Sequence, residues 1–330
     1  MASTTEPPSS PSASDTDSLF TTRTALAALV TLVAVILASF TPLRNTFASL
    51  LTKPLSIRAM STATTPASMK ITKRPWSARG HADHDWLYTF HTFSFASYYD
   101  PGHESYGPLR VINEDRVLPG TGFGTHSHAE FLIWSYVVSG TLEHKDSLGN
   151  LENLKRGEVQ FTSAGTGIRH SEYNRNRDDE VHFLQIWAKP NVRGLKPHYE
   201  TKKFPDELKQ NKLVRIIEYV DRLGEKQSET SPIGLQADVS MDASILSPGK
   251  KVTHDVVAAG PRKIFVQNIM TKRAQPKSGG AQIRVGDVTL GEGDSAYIDG
   301  VGGLGAKIEV ESVGDTPAEF LLFDMGPEDQ

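Results

Sequence analysis

From about Ile71 onward the apolar positions come in short runs rich in aromatic and β-branched residues, broken apart by Gly, Pro, Asn and Asp. Runs of that length, divided by turn residues, are the pattern of β-strands. LRVINEDRVL (109–118), FLIWSYVVSG (131–140), EVQFTSAG (158–165) and VHFLQIWAKP (181–190) each have the length of one strand. Glycine-containing turns at 120–124, 140, 149 and 157 separate them. These runs predict a small barrel or sandwich. From about Asn191 to Asp221 the chain is polar and without period, as a crossing between two halves would be. Strand-like runs resume in GLQADVSMDASIL (234–246), RKIFVQNIM (262–270), AQIRVGDVTLGEGDSAYID (281–299) and FLLFDMG (320–326), enough for a second β domain.

The N-terminal part reads differently. Residues 1–22 are rich in Ser, Thr and Pro, a composition that predicts disorder because it buries too little apolar surface to offset ordering. Thr24 to Leu43 carries no charge, and as a helix it would span roughly 30 Å, the thickness of a hydrocarbon core. The length predicts one hydrophobic, membrane-spanning helix over 24–43. A buried core helix would need a partner surface that the neighbouring sequence does not offer, and a cleaved signal peptide would start on a short basic flank. Arg44, Lys53, Arg58, Lys70, Lys73, Arg74 and Arg79 follow the span with no acidic residue among them. The positive-inside bias then predicts membrane anchoring with the folded domains on the cytosolic or matrix side. The acid-free, Ser/Thr-rich stretch before Met60 also suits a mitochondrial presequence, and a start at Met60 or Met69 would give a soluble cytoplasmic or nuclear protein.

A chain of 330 residues accommodates two domains after such an extension. Its net charge of −4 lacks the basic excess of a nucleic-acid footprint, which argues against direct nucleic-acid binding. With no cysteine there is neither a disulfide framework nor a thiolate metal site, so His, Asp and Glu are the only strong side-chain ligands.

Those ligands are concentrated in two places. Gly122-Phe-Gly-Thr-His126-Ser-His128 is followed by Gly165-Thr-Gly-Ile-Arg-His170-Ser-Glu172. Alternate residues of an extended strand share a face, so each pair aims two donors at one point. Three imidazoles and one carboxylate suit iron, nickel, copper, manganese or zinc, whereas magnesium and calcium want more oxygen. The glycines before His126 and His170 let the backbone reverse tightly so that strand ends converge. The other histidines, His81, His84, His91, His103, His144 near a turn, His182, His198 and His254, read as structural or surface residues.

HTFSFASYYDP (91–101), GPLRVINEDRV (107–117), GTGFGTHSH (120–128), SYVVSGTLEHKDSLGN (135–150), GEVQFTSAGTGIRHSEYN (157–174) and LQIWAKP (184–190) together resemble the N-terminal cupin domain of the pirins, in particular bacterial-type pirins with quercetin 2,3-dioxygenase activity. From about 230 to 330 the chain is more weakly similar to the C-terminal cupin domain of the same group. The resemblance implies an all-β bicupin of two stacked barrels. On that frame residues 1–70 are the extension with its tail and hydrophobic helix, 71–205 the metal-binding domain, 206–230 a linker and 231–330 a second cupin domain. It implies one mononuclear metal, usually iron, held by His126, His128, His170 and Glu172. It also implies a metal-dependent dioxygenase that opens the heterocycle of a flavonol such as quercetin with dioxygen, releasing carbon monoxide, with Glu172 as ligand and base. The alternative is a non-enzymatic, metal-binding transcriptional coregulator, the role of some eukaryotic pirins. Phe123, Trp134, Tyr173 and Trp187 are candidate aromatic walls for a flat substrate, against ordinary core packing. Leu132 and Ile133 stand where pirins commonly carry a Glu after the H-x-H pair, which bears on the pocket wall and on substrate choice. The second domain is expected to bind no metal, because His254 is the only histidine after residue 201.

Overall fold

The computed structural model describes residues 69–327 except 226, 257, 272 and 274–279. The strands of the first half are β1 (Lys70–Arg74), β2 (Gly80–Asp83), β3 (Leu87–His91), β4 (Leu109–Val117), β5 (Gly122–His128), β6 (Leu132–Ser139), β7 (Thr141–Asp146), β8 (Leu151–Lys155), β9 (Glu158–Ser163), β10 (Ile168–Asn174), β11 (Val181–Ala188) and β12 (His198–Lys203). A single helical turn, α1 (Asp206–Lys209), leads into β13 (Val214–Tyr219), β14 (Ile233–Leu235), β15 (Val239–Leu246), β16 (Lys251–Asp255) and β17 (Arg262–Asn268). The chain continues through β18 (Ile283–Val285), β19 (Val288–Leu290), β20 (Ser295–Val301), β21 (Lys307–Ser312) and β22 (Ala318–Met325).

These strands build the same arrangement twice. A seven-stranded sheet in the order β12-β9-β6-β11-β4-β3-β2 is joined by a four-stranded sheet β5-β10-β7-β8. The second half pairs β1-β20-β17-β22-β15-β13-β14 with β16-β21-β18-β19. The largest apolar cluster draws on both seven-stranded sheets, with Trp134, Tyr136, Leu184 and Ile186 meeting Met241, Phe265, Leu321 and Phe323. Each barrel also has its own interior cluster. Thus β6 buries both faces: Leu132, Trp134, Tyr136 and Val138 go to the contact between barrels, while Val137 goes to the first interior. Burial of both faces is why this strand reads as a continuous apolar run instead of alternating.

Strand β1 does not pair within the first half. It adds antiparallel to β20, from Lys70 opposite Asp299 to Arg74 opposite Ser295, so the described residues start on the second barrel's sheet and then cross to the first. The crossing is fixed by Trp76 N–H donating to Asp294 at 2.8 Å and by a buried Arg79–Glu114 ion pair at 2.8 Å. Glu114 also accepts from the backbone N–H of Met270, at 2.7 Å.

Among the described residues no helix is long and apolar enough to cross a membrane, and α1 is the only α-helix. The span 24–43, on which the hydrophobic helix rested, lies outside the described residues. The hydrophobic helix, the membrane contact through 24–43 and the membrane-anchored location with its cytosolic-side domains are therefore not retained. Apolar length states what a bilayer would accept once a segment is helical; it does not establish that the segment is helical.

Candidate metal centre

The inner face of the sheet β5-β10-β7-β8 carries the site. Residues directly opposite each other in an antiparallel pair point their side chains to the same side. Strand β10 sets His170 opposite His126 of β5, and sets Glu172 opposite His144 and His170 opposite Asp146 of β7. Alternation along β10 buries His170, Glu172 and Asn174 and leaves Arg169 exposed. On the β5 side the register slips between His170 and Glu172. Two glycines make this geometry possible. A Cβ at Gly122 would run into the carbonyl oxygen of Glu172 and the backbone of Tyr173, so only glycine lets β5 lie this close to β10. Gly165, at φ +47°, turns the chain toward β10 against the carbonyl of Leu195, a conformation and a fit that a side chain would oppose.

His126, His128 and His170 converge. Their ring centroids lie 4.6 to 4.8 Å apart in all three pairs, and one nitrogen from each falls within 4.8 Å of the other two. His126 Nδ1 lies 2.7 Å from the carbonyl oxygen of Gly124. A carbonyl only accepts, so Nδ1 carries the proton and Nε2 is left with its lone pair. That Nε2 is 3.0 Å from His170 Nε2. Burial, then the neighbouring imidazoles His170 and His126, pushes His128 down to about 4. Burial, then His126 and His144, pushes His170 down to about 3. Both rings are therefore neutral donors at ordinary pH, the form that binds a metal.

Comparison with known proteins shows the family. The family model described as Pirin matches residues 72–188. A quercetin 2,3-dioxygenase of Escherichia coli (strain K12) is 35% identical over 254 residues, 77% of this chain and 98% of the relative. The chain belongs to the pirin family. The crystal structure of the bacterial pirin YhhW from Escherichia coli in complex with nickel(II) is similar at a TM-score of 0.66 and 34% identity, covering 78% of this chain and 100% of that one. A quercetin 2,3-dioxygenase from Acinetobacter baumannii, at 19% identity and a TM-score of 0.55 over 78% of this chain and 86% of that one, shares the fold. The relatives support a dioxygenase-like enzyme.

The donors of this pirin fit one transition metal. His128 Nε2 is buried and finds no hydrogen-bond partner, which costs about 1–3 kcal/mol for a polar group of this kind. A cation beside it would convert that cost into a bond. Glu172 lies deeper. It groups within ligand distance with His170 and with His144. Its Oε1 accepts from Gln160 Nε2 at 2.8 Å and lies 3.3 Å from Ser135 Oγ, and its Oε2 accepts from Gln185 Nε2 at 2.7 Å. Burial raises its pKa, and His144, His126 and the Ser135 hydrogen bond oppose the rise only in part.

His144 is the residue that sequence reasoning set aside. It is fully buried, faces the site, and its ring is 5.3 Å from that of His170. The signal was present in the alternation of TLEHKD, where Leu142, His144 and Asp146 are buried and the residues between them are less so. Of the candidate walls, Trp187 stands against His128 at 4.7 Å and is backed by Phe131 and Phe95. Phe123 packs on Trp86 and Tyr173 lies under Arg175. Trp134 belongs to the core between the barrels, its Nε1 directed at Met241 Sδ. Leu132 and Ile133 are buried in β6, and the nearby Glu130 turns away to accept from the backbone N–H of Gly194. Beside His128 a cavity of about 400 Å³ opens, lined by Ser127, Ala129, Ser147, Gly167, Ile168 and Arg169.

Proposed function

We propose that this pirin is a metal-dependent dioxygenase that opens the heterocycle of a flavonol such as quercetin, with His126, His128, His170 and Glu172 as metal ligands. The observation that carries the reading is the convergence of three imidazoles, those of His128 and His170 held neutral by burial, beside a buried carboxylate. Family membership and the quercetin 2,3-dioxygenase relatives support it. A bound transition metal supplies Lewis acidity and access to dioxygen chemistry.

The protein's own residues do the rest. The Gly124 carbonyl fixes the tautomer of His126, which presents Nε2 inward. Gln160 and Gln185 pin the carboxylate of Glu172 and leave Oε2 a free lone pair, at which the proton of the substrate's reacting hydroxyl is accepted. Burial raises the basicity of this carboxylate and so improves it as a general base. Trp187 offers a flat apolar face beside His128 on which an aromatic ring system packs and excludes water.

The test is metal analysis of the purified chain followed by flavonol turnover, read as loss of flavonol absorption and as carbon monoxide in the headspace. Turnover should require both bound metal and air and should disappear, with the metal, in His126→Ala. Absence of flavonol turnover by protein loaded in turn with iron, nickel, copper and manganese would refute the activity. Full metal content in His126→Ala would refute the site.

A further inference from the structure

Below the three-histidine cluster lies a second, wholly buried group: His144, His170 and Glu172, one donor atom of each within 4.8 Å of the others. Nothing assigned so far uses His144. Its surroundings nevertheless prepare it as a donor. His144 Nε2 lies 3.2 Å from Asp146 Oδ2. Asp146 is already the acceptor for the backbone N–H groups of Leu148 and Asn150 and for Asn150 Nδ2, at 2.9 to 3.0 Å. A carboxyl group that accepts from three N–H donors faces the imidazole as an acceptor as well, so Nε2 is the nitrogen that donates to it. The lone pair of His144 is then on Nδ1. That atom is buried and has no hydrogen-bond partner among the described residues, and the same holds for His170 Nδ1. The ring plane is fixed as well, stacked on Tyr199 with centroids 4.6 Å apart and 17° between planes.

Two unpaired buried imidazole nitrogens are costly as they stand. A cation would take up both lone pairs and balance the charge of the adjoining Glu172 carboxylate. A carboxylate that orients an imidazole by its far nitrogen is the recurring support of a metal ligand. We propose that His144, oriented by Asp146, is a further metal ligand, and that beside His170 and Glu172 it forms an inner position for the transition metal next to the outer position at His126 and His128. His170 and Glu172 serve both positions, so the two hold one ion between them. The inference rests on the reading that the three-histidine cluster binds a metal.

The experiment uses the full chain stripped with a chelator. Nickel(II) affinity is measured by competition against a chromophoric chelator, and the cobalt(II) ligand-field absorption reports the donor set. His144→Phe keeps the ring on Tyr199 and removes both nitrogens. It should weaken nickel(II) binding by about tenfold or more and alter the cobalt(II) spectrum. Unchanged affinity together with an unchanged spectrum would overturn the proposal. If His144→Phe does not fold, Asp146→Asn carries the test, because it leaves the imidazole in place and removes the charge that orients it. A weakening of about 10- to 100-fold is expected, and none would overturn the assignment. His126→Ala run alongside separates the two readings. Wild-type binding in that variant defeats the outer site, whereas its loss beside an unaffected His144→Phe defeats the inner position alone.

Discussion

The second barrel holds a charge cluster that makes its stability depend on pH in a predictable direction. His254, buried on β16, lies 3.0 Å from Asp242 Oδ2 through Nδ1 and 2.9 Å from Asp324 Oδ2 through Nε2. Arg215 pairs with Asp242 at 2.6 Å and Arg262 with Asp324 at 2.7 Å. Burial alone would lower the pKa of His254, but the two carboxylates outweigh it and raise the group from 6.5 to about 9. The folded chain therefore binds this proton more tightly than the unfolded chain, and the stabilisation is complete below pH 6.5 and lost as pH rises toward 9. At about 1.36 kcal/mol per pH unit, that interval amounts to roughly 3 kcal/mol. His128 and His170 are depressed and affect stability only below pH 6.5. Asp115, which burial raises to about 7, has its effect below that value. The window from pH 7 to 9 thus isolates His254. Urea unfolding of the metal-free chain across that window should show stability falling by about 1 kcal/mol per pH unit, and His254→Gln should flatten the curve. A flat wild-type profile, or an unchanged slope in His254→Gln, would show that the imidazolium is not what the two aspartates stabilise.

Two further perturbations probe the first barrel and the contact between the halves. Glu172→Gln keeps the shape and one oxygen donor but loses the basic lone pair, and its amide meets an amide donor of Gln160 or Gln185; turnover should fall about 10²- to 10⁴-fold while much of the metal stays, and near-normal turnover in metal-loaded Glu172→Gln would exclude the base role. Arg79→Ala leaves Glu114 buried with His182 and a backbone N–H but without its guanidinium; against the cost of burial, His182 and Arg79 hold that carboxyl at about 2, so loss of the arginine should cost about 3–5 kcal/mol by denaturant unfolding, and a cost under about 1 kcal/mol would place the main support of Glu114 elsewhere.

The sequence by itself was enough for the strands and for the pairs of candidate ligands, because both depend on local alternation. A run such as VHFLQIWA forms β11 wherever it pairs, and the period of two puts His126 with His128 and His170 with Glu172 whatever the neighbouring strand is. Family resemblance was legible for the same reason, being carried by contiguous stretches around those strands. What local pattern does not contain is which strand lies beside which, and in what register. His144 therefore read as one more histidine near a turn, and only the pairing of β7 with β10 sets it opposite Glu172 and brings its ring beside that of His170. The same limit applies to β1, whose KITKR gives no hint that its partner is β20, more than two hundred residues away. It applies also to the continuous apolar run of β6, which reflects two buried faces, one of them made by the other barrel. Where a single local property was asked to settle a tertiary question, as apolar length was for 24–43, it decided only what the segment would tolerate. Periodicity fixes which side chains share a face, and hydrogen-bonded register, which is set by contacts distant in the chain, decides what that face meets.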